Sequence, residues 1–311
     1  METRSKAKNK LQAMPELVMR NILHYCDCLV DIIHPDLHVK RAKLRWSPME
    51  IGMDFQGENS LWRGATYNNV NGGCVVSWPK QSDKKKFFKK TTAEEIFIRE
   101  LEILLPMLSN QIIPMDSLKM LLGVGGLPVF QKTMVPLLSD QFPVKFLLIS
   151  THDGPEGVSS MLSLVSPEFL EKLWIWKCYP QTDVLDMNAM AALEQWKRLR
   201  TLNLPEFLID DPTRVLHISD SRITVNVVLP EQASLMKETF RNSPEFVHCT
   251  IHCNTEITPE TEKAISRTEI ENNGGKRTYH FTTSTPGKVL QVECCPAFLI
   301  FTICDSATLG E

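Results

Sequence analysis

The chain has 311 residues, of which 43% are hydrophobic and 23% are charged, and its formal net charge at pH 7 is −3. This balance is typical of a folded protein with a sizeable core and excludes a disordered chain. The small net charge gives no reason to expect a nucleic-acid partner. No stretch approaches the ~18 to 20 apolar residues that a membrane-spanning helix needs, so no membrane partner is expected.

The nine cysteines are odd in number and irregularly spaced along a long chain. Disulfide frameworks are typical of short, cysteine-dense secreted domains. The N-terminus also has no apolar run of signal-peptide length. Together these features predict a protein of the reducing cytoplasm or nucleus.

The N-terminal part of the chain is predicted to be a disordered tail (residues 1–11) followed by a helical module (residues 12–48). Leu17, Val18, Ile22 and Leu23 recur at helical spacing, and Pro15 suits the first turn of a helix. A second helix is predicted over residues 37–44.

Residues 49–91 are predicted to form a β-hairpin and a basic linker. Short alternating runs flank Asn71, Gly72 and Gly73, which are typical of a hairpin turn. Residues 84–90 (KKKFFKK) are interpreted as a solvated linker, with a targeting or nucleic-acid-binding patch as the alternative. A helix is predicted over residues 92–107, where Thr92 and Glu95 resemble a capping box.

The strongest signal is an internal repeat of the form apolar-x-x-apolar-x-apolar. Its starts lie 29, 26, 29 and 47 residues apart, at Met115, Val144, Leu170, Leu199 and Phe246. The last gap has room for a sixth unit, in which Val225 and Val227 take the strand positions and Arg222 breaks the first position. A period of about 20 to 29 residues with this pattern is typical of leucine-rich repeats.

The predicted fold class is therefore α/β: a leucine-rich-repeat-like solenoid with a mainly parallel sheet over residues 92–304, in which helices such as residues 157–165 and 231–242 connect the strands. The short helical module precedes it. A C-terminal β-hairpin caps it, with strands over residues 278–283, 289–293 and 298–303, and residues 305–311 form a tail. An ordinary α/β domain is the alternative.

No motif predicts catalysis, a metal or a cofactor. In His248-Cys249-x-x-His252-Cys253, the cysteines and histidines of a strand point to opposite faces, so they do not converge on a zinc ion. Residues 123–126 (GVGG) and 151–154 (THDG) are interpreted as turns, and no Gly-x-Ser-x-Gly marks a hydrolase nucleophile. The chain is predicted not to be an enzyme.

Residues 12–45 resemble an F-box. The residues that carry this resemblance are Met14, Pro15, Leu17, Val18, Ile22 and Leu23. In the F-box family such residues dock on a Skp-type adaptor of a cullin–RING ubiquitin ligase. The resemblance therefore implies a Skp-type adaptor and a cullin complex as partners.

Residues 94–303 resemble the FTH domain that follows such F-boxes in nematode proteins. The stretches that carry this resemblance are EIFIRELE (residues 95–102), SPEFLEKL (166–173), EQWKRLRTL (194–202) and FRNSPEF (240–246). The resemblance implies a substrate-recognition adaptor of an SCF-type ubiquitin ligase. The alternative is an interaction scaffold with a degenerate F-box and no ligase association.

An unknown protein substrate is then expected to bind the outward positions of the repeat strands. Two tryptophans on one exposed strand face are unusual without a partner, and Trp is enriched at interface hot spots. The alternative is that they pack under a hairpin or loop. The predicted target-binding residues are Leu148, Trp174, Trp176, Asn203, Asn226 and His252, and Lys119 and Thr250 occupy equivalent outward positions.

Overall fold

The computed structural model describes residues 38–48, 50–57, 62–78, 85–109, 111–137, 141–177, 183–266, 271–273 and 275–309. Among these residues, fifteen strands form one sheet. The strands are β1 (Val39–Trp46), β2 (Ile51–Gly57), β3 (Trp62–Val70), β4 (Gly73–Ser77), β5 (Lys85–Lys89), β6 (Met115–Leu122), β7 (Val144–Thr151), β8 (Lys172–Lys177), β9 (Thr201–Ile209), β10 (Asp220–Val225), β11 (His248–Cys253), β12 (Glu271–Asn273), β13 (Lys276–Thr282), β14 (Lys288–Cys295) and β15 (Phe298–Asp305).

The α-helices in the same ranges connect or follow these strands. They are α1 (Ala93–Ser109), α2 (Gly126–Leu137), α3 (Val158–Ser163), α4 (Met187–Ala191), α5 (Glu194–Lys197), α6 (Pro230–Asn242) and α7 (Pro259–Ile265). Pro212–Val215 and Ser306–Leu309 are 3-10 helices. The capping box predicted for α1 is confirmed, because Glu95 N donates to Thr92 Oγ1 and Thr92 N donates to Glu95 Oε2.

The strand order is β12-β13-β14-β15-β11-β10-β9-β8-β7-β6-β1-β2-β3-β4-β5. From β1 through β6 to β11 the neighbouring strands run parallel. Four antiparallel pairs extend the sheet beyond β1, and four more extend it beyond β11. Parallel strands with helical connections therefore lie between two antiparallel regions.

The core lies on one face of the sheet, where the repeat places its apolar side chains. One row crosses the parallel strands in register and comprises Leu118, Leu147, Leu173, Leu202, Ser221 and Cys249. A second row two residues further along each strand comprises Met120, Ile149, Ile175, Leu204, Ile223 and Ile251. The exposed fraction of every side chain in both rows is at most 2%.

Helices cover this face. The helix α1 contacts β2, β3 and β4, and α6 contacts β14. Phe97 of α1 and Phe130 of α2 each pack edge-on against Trp46 of β1, with ring centroids 5.7 and 5.8 Å apart. Because strand side chains alternate in direction, the intervening residues point to the opposite face, which we call the open face.

The predicted fold class is wrong. A leucine-rich-repeat-like solenoid with a mainly parallel sheet was expected, whereas eight of the fourteen neighbouring strand pairs in the described sheet are antiparallel. The repeat accounts only for residues 115–251. The segments on either side alternate with a period of two, and they pair with the outermost repeat strands, whose N–H and C=O groups would otherwise be unpaired.

Two local predictions near the N-terminal end of the sheet are also wrong. Residues 37–44 were predicted to be helical, but Val39–Trp46 is strand β1, which pairs with β2 on one side and β6 on the other. Its buried residues include Ala42 and Leu44, a strand spacing. The basic segment predicted as a linker contains β5, the outermost strand at this end, and lysines on an outer strand discourage pairing with other chains.

The antiparallel regions contain the hairpins that the sequence predicted, within longer arrangements. Asn71 and Gly72 form the turn between β3 and β4, and Gly72 has a φ of 85°, which favours glycine. The strands predicted near the C-terminus are confirmed as β13, β14 and β15. These strands form more than the predicted hairpin cap. The strand β15 pairs directly with β11, and β12 adds a further strand beside β13.

The sixth repeat unit exists, but its predicted register is wrong. Val227 was assigned to the second strand position, yet it lies beyond the end of β10 and is 38% exposed. Ser221 and Ile223 occupy the two strand positions instead, opposite Cys249 and Ile251 of β11. Ser221 is buried at a position where most other units have leucine, so a pattern of apolar residues does not detect this unit in its true register.

Candidate recognition surface

A continuous row of side chains crosses the open face from β1 to β15. The strand register places in this row Lys43, Lys119, Leu148, Trp174, Asn203, Arg222, Thr250 and Ile300. Neighbouring parallel strands lie about 4.8 Å apart, so the side chains in such a row touch one another. The row changes along its length from basic through aromatic to polar.

Two tryptophans and a phenylalanine form the aromatic part of the open face. Trp174 and Trp176 are two residues apart on β8, and their rings stack with centroids 5.8 Å apart and an interplanar angle of 13°. Phe146 of β7 meets Trp174 edge-on, with centroids 5.0 Å apart. Trp176 is 41% exposed, so the stack presents a large apolar surface to solvent.

A cavity of about 450 Å³ lies beside this stack, across β8 to β11 and β15. We call it the groove. Its charged lining residues are Asp220 and Arg222 of β10, both of which are exposed. The other residues that contribute to its walls include Trp174, Asn203, His248, Thr250, His252 and Phe298.

Arg222 is held in place by a histidine on the next strand. Its Nε donates a hydrogen bond to Nε2 of His252 at 3.1 Å. A guanidinium only donates, so Nε2 accepts and the His252 ring is neutral. Burial, and secondly the charge of Arg222, lower the pKa of His252, which agrees with a neutral ring.

Other contacts hold the side of the groove that β11 and β15 form. Nδ1 of His248 lies 3.0 Å from Oγ1 of Thr302, and its Nε2 lies 2.7 Å from Oγ1 of Thr250. The His252 ring meets Phe298 edge-on, with centroids 4.7 Å apart. These contacts span β11 and β15, so the antiparallel C-terminal strands complete a surface that the parallel strands begin.

On the side of the groove that β8 and β9 form, two buried polar atoms have no hydrogen-bond partner among the described residues. They are Nε1 of Trp174, which is a donor, and Oδ1 of Asn203, which is an acceptor. Their residues are directly opposite each other on β8 and β9. An unpaired buried polar atom is costly, so this pair is a locally unfavourable feature of the sheet surface.

The structure places the predicted target-binding residues unequally. Trp174, Asn203 and His252 line the groove, and Trp176 stacks on Trp174. Leu148 lies in the same row but is only 7% exposed. Asn226 follows the end of β10, where its carbonyl oxygen accepts hydrogen bonds from Thr255 N and Oγ1, and it does not join the others.

The sequence missed Phe146, Asp220, Arg222 and Phe298. Arg222 was treated only as a break in the repeat, because the sixth unit was placed in the wrong register. With Ser221 and Ile223 as the core positions, Asp220 and Arg222 become outward positions by strand alternation. The repeat does not predict that Phe298 joins this surface, because β15 lies outside the repeat and pairs with β11 from a distant part of the chain.

The motifs that the sequence singled out as possible chemistry lie in different parts of the fold. Cys249 and Cys253 are buried, whereas His248 and His252 are on the open face, which confirms their predicted alternation. Asp153, from the polar turn after β7, accepts hydrogen bonds from the backbone N–H groups of Gly125 and Leu127. In the described ranges, no helix is both long and apolar enough to cross a membrane.

The adaptor-binding residues predicted at the N-terminus lie outside the described residues, which begin at residue 38. Those residues are Met14, Pro15, Leu17, Val18, Ile22 and Leu23.

Comparison with known proteins yields one match. A family model for the FTH domain matches residues 136–267. The matched segment includes β7 to β11, and therefore the tryptophan stack and Arg222, whereas Phe298 and Ile300 lie on β15 beyond it. No curated protein and no solved structure matches this sequence.

Proposed function

We propose that this chain, which contains an FTH domain over residues 136–267, is a non-enzymatic recognition protein whose open sheet face binds a target protein. The observation that carries the proposal is the exposed stack of Trp174 and Trp176 beside the groove. Tryptophan and arginine are among the residue types enriched at the centre of protein interfaces. Cytoplasm or nucleus is the proposed location.

We further propose that the target is delivered to a cullin–RING ubiquitin ligase. This part of the proposal is supported by the resemblance of residues 12–45 to an F-box and by the association of FTH domains with F-boxes. Leu17 and Ile22 are the residues through which a Skp-type adaptor would be bound. One end of the chain would hold the ligase, and the open face would present the target.

The experiment that tests the ligase part is co-purification with a Skp-type adaptor and its cullin. The wild type is expected to retain both, and the double variant Leu17→Asp/Ile22→Asp is expected to lose both. Trp176→Ala is the matched control, because it alters the open face and should keep the adaptor. A folded wild type that binds no adaptor would remove the ligase part.

A second candidate is a recognition protein that has no ligase partner. It is favoured by strand β1, because residues 39–46 of the predicted helical module are part of the sheet and are unavailable to a helical F-box. Under this hypothesis the wild type and the Leu17→Asp/Ile22→Asp variant retain the same target proteins, and neither retains the adaptor. The same co-purification therefore separates the two candidates.

A further inference from the structure

The side chain that distinguishes the groove is Arg222. It lies between Asn203 and Thr250 in the row that crosses the open face. Its Nε is occupied by His252, and it forms no ion pair with any other described residue. The two terminal nitrogens of the guanidinium remain for a ligand, and the bond to His252 fixes the plane in which they lie. A guanidinium fixed in this way matches a carboxylate, which accepts two parallel hydrogen bonds.

Arg222 has two carboxylates in its neighbourhood and pairs with neither. Asp220 also lines the groove, and Glu206 of β9 has a pKa that burial raises and that the charge of Arg222 helps to lower.

The open face from β1 to β8 presents Lys43, Lys119 and Lys172, none of which forms an ion pair with a described residue. The carboxylate of Asp54 is already paired with Arg45, at 3.1 Å. These lysines lie two to five strands from Arg222, which is about 10 to 24 Å at about 4.8 Å per strand. Salt screens charges at such distances, so the guanidinium of Arg222 itself must hold an anion.

The apolar contacts lie directly beside the cation. Trp174 lines the groove and stacks on Trp176, while Phe146 extends the aromatic surface away from it. A protein segment supplies both a carboxylate for Arg222 and an apolar side chain for the exposed stack, which makes it a better complement than a free anion.

We propose that the groove binds an aspartate or glutamate side chain of the target protein, with Arg222 holding the carboxylate and the Trp174–Trp176 stack covering a neighbouring apolar residue. This proposal names the chemistry of the partner and rests on the recognition function proposed above.

A carboxylate fits the groove better than a phosphate. Arg222 is the one cation among the described residues that line the groove, and Asp220, two residues away on the same strand, also lines it. His252 accepts a hydrogen bond through Nε2 and therefore carries no charge. Asp220 repels either anion, but it repels a phosphate dianion about twice as strongly as a carboxylate, and a single guanidinium neutralises only one negative charge.

The test uses the full chain and immobilised peptide libraries that differ at one fixed central position: Glu, Gln, Lys or phosphoserine. The wild type is expected to retain the Glu library about tenfold more strongly than the Gln library, the ratio of a charge-assisted hydrogen-bonded pair to a neutral one. Arg222→Gln should reduce this ratio to about one. Arg222→Lys, which keeps the charge but loses the bidentate geometry, should leave a ratio of about three.

The matched control is Arg198→Gln, an exposed arginine that lies outside the strands and away from the groove. It should keep the tenfold preference. Thermal unfolding of each variant establishes that the fold is intact.

Equal retention of Glu and Gln by the folded wild type, or no retention of any library, would overturn the proposal. A preference for phosphoserine over Glu would overturn it as well, because the groove would then suit a dianion. Adaptor binding is scored on the same preparation. Loss of the adaptor with a retained preference for Glu defeats the ligase function alone, whereas adaptor binding without that preference defeats the carboxylate site alone.

Discussion

Nε of Arg222 on β10 donates a hydrogen bond to Nε2 of His252 on the neighbouring strand β11, and the two nitrogen atoms are 3.1 Å apart. The bond joins two residues that are adjacent in space and 30 positions apart in sequence. It links the charge state of the histidine to the orientation of the guanidinium, because a protonated His252 has no lone pair at Nε2 to accept the bond.

The first prediction concerns the titration of His252. Burial and the charge of Arg222 both lower its pKa from 6.5, so the ring is expected to titrate below that value in the folded protein. Arg222→Gln removes the neighbouring charge and should raise the pKa of His252 toward 6.5. NMR titration of the histidine ring signals measures both values.

Arg198→Gln is the control for this titration, and it should leave the pKa of His252 where the wild type has it. A lowered pKa in the folded state means that the unfolded chain binds the proton more tightly. The free energy of unfolding should therefore decrease as the pH falls through the pKa of His252. A pKa of His252 that is the same in the wild type and in Arg222→Gln would show that the two side chains do not interact in solution.

The second prediction concerns a buried carboxyl group under the N-terminal strands. Glu100 of α1 is 6% exposed and accepts a hydrogen bond from the hydroxyl of Tyr67 on β3. Burial raises the pKa of Glu100 from 4.5 to about 7, although the bond from Tyr67 opposes the shift. The protonated form is thus favoured in the folded state. Its stabilisation is present in full below pH 4.5 and is lost as the pH rises through about 7.

Glu100→Gln should weaken this dependence, because an amide does not titrate. The free energy of unfolding of the wild type minus that of the variant, from urea titrations, should fall steadily between pH 5 and pH 8. Glu102→Gln, at an exposed position of the same helix, should show no such slope. If Glu100→Gln and Glu102→Gln give the same pH profile, the carboxyl group of Glu100 is not buried in solution.

The sequence predicted the parallel part of the sheet well, because the physical constraint there is local and repeated. Leu147, Leu173 and Leu202 must each reach the same core from a strand of similar length, so their spacing predicts both the strands and their inward positions. Ser221 breaks this regularity and is nonetheless buried in the same row. Because the predicted register was wrong, Arg222 was not predicted to face outward, although it is the one arginine or lysine that lines the groove among the described residues.

The ends of the sheet were harder to predict, because they depend on pairing between distant segments. The sequence of β1 contains Ala42 and Leu44 at a strand spacing, but β1 is a strand because β6 pairs with it from a segment about 75 residues away. The C-terminal wall of the groove has the same origin, since Phe298 reaches His252 only after β15 pairs with β11. The alternation along each segment predicts a strand, but it does not predict which distant strand pairs with it.

The third prediction separates surface from core among the tryptophans. Trp176 is 41% exposed and contacts Trp174, so Trp176→Ala should lower the free energy of unfolding by less than about 1.5 kcal/mol. Trp196 is 2% exposed in the core, and Trp196→Ala should cost about 3 to 5 kcal/mol. Urea unfolding of the two variants provides the comparison.

The same pair of variants tests whether the tryptophan stack serves recognition. Trp176→Ala should remain folded and lose most of its capture of target proteins, because the exposed ring of the stack is gone. A loss of stability for Trp176→Ala as large as that for Trp196→Ala would assign the stack to the core, and the recognition surface would then lose its main support.

The fourth prediction concerns the turn that follows β7. The two carboxylate oxygens of Asp153 accept hydrogen bonds from the backbone N–H groups of Gly125 and Leu127 at 2.7 and 2.8 Å. These donors lie at the start of α2, whose first N–H groups have no partner within the helix. Asp153→Ala removes the acceptor of both, although water can reach Gly125, and should lower the free energy of unfolding by about 1 to 2 kcal/mol.

Asp153→Asn keeps a single acceptor oxygen and should lose about half as much stability, because one of the two N–H groups is still satisfied. The matched control is Asp116→Ala, at an exposed position of β6 where the carboxylate makes no hydrogen bond or ion pair with another described residue. That change should stay within about 0.5 kcal/mol of the wild type. An equal loss of free energy for Asp153→Ala and Asp116→Ala in urea unfolding would contradict this prediction. In that case the pairing of β6 with β7 alone holds together the turns that follow these two strands, and the carboxylate of Asp153 adds nothing.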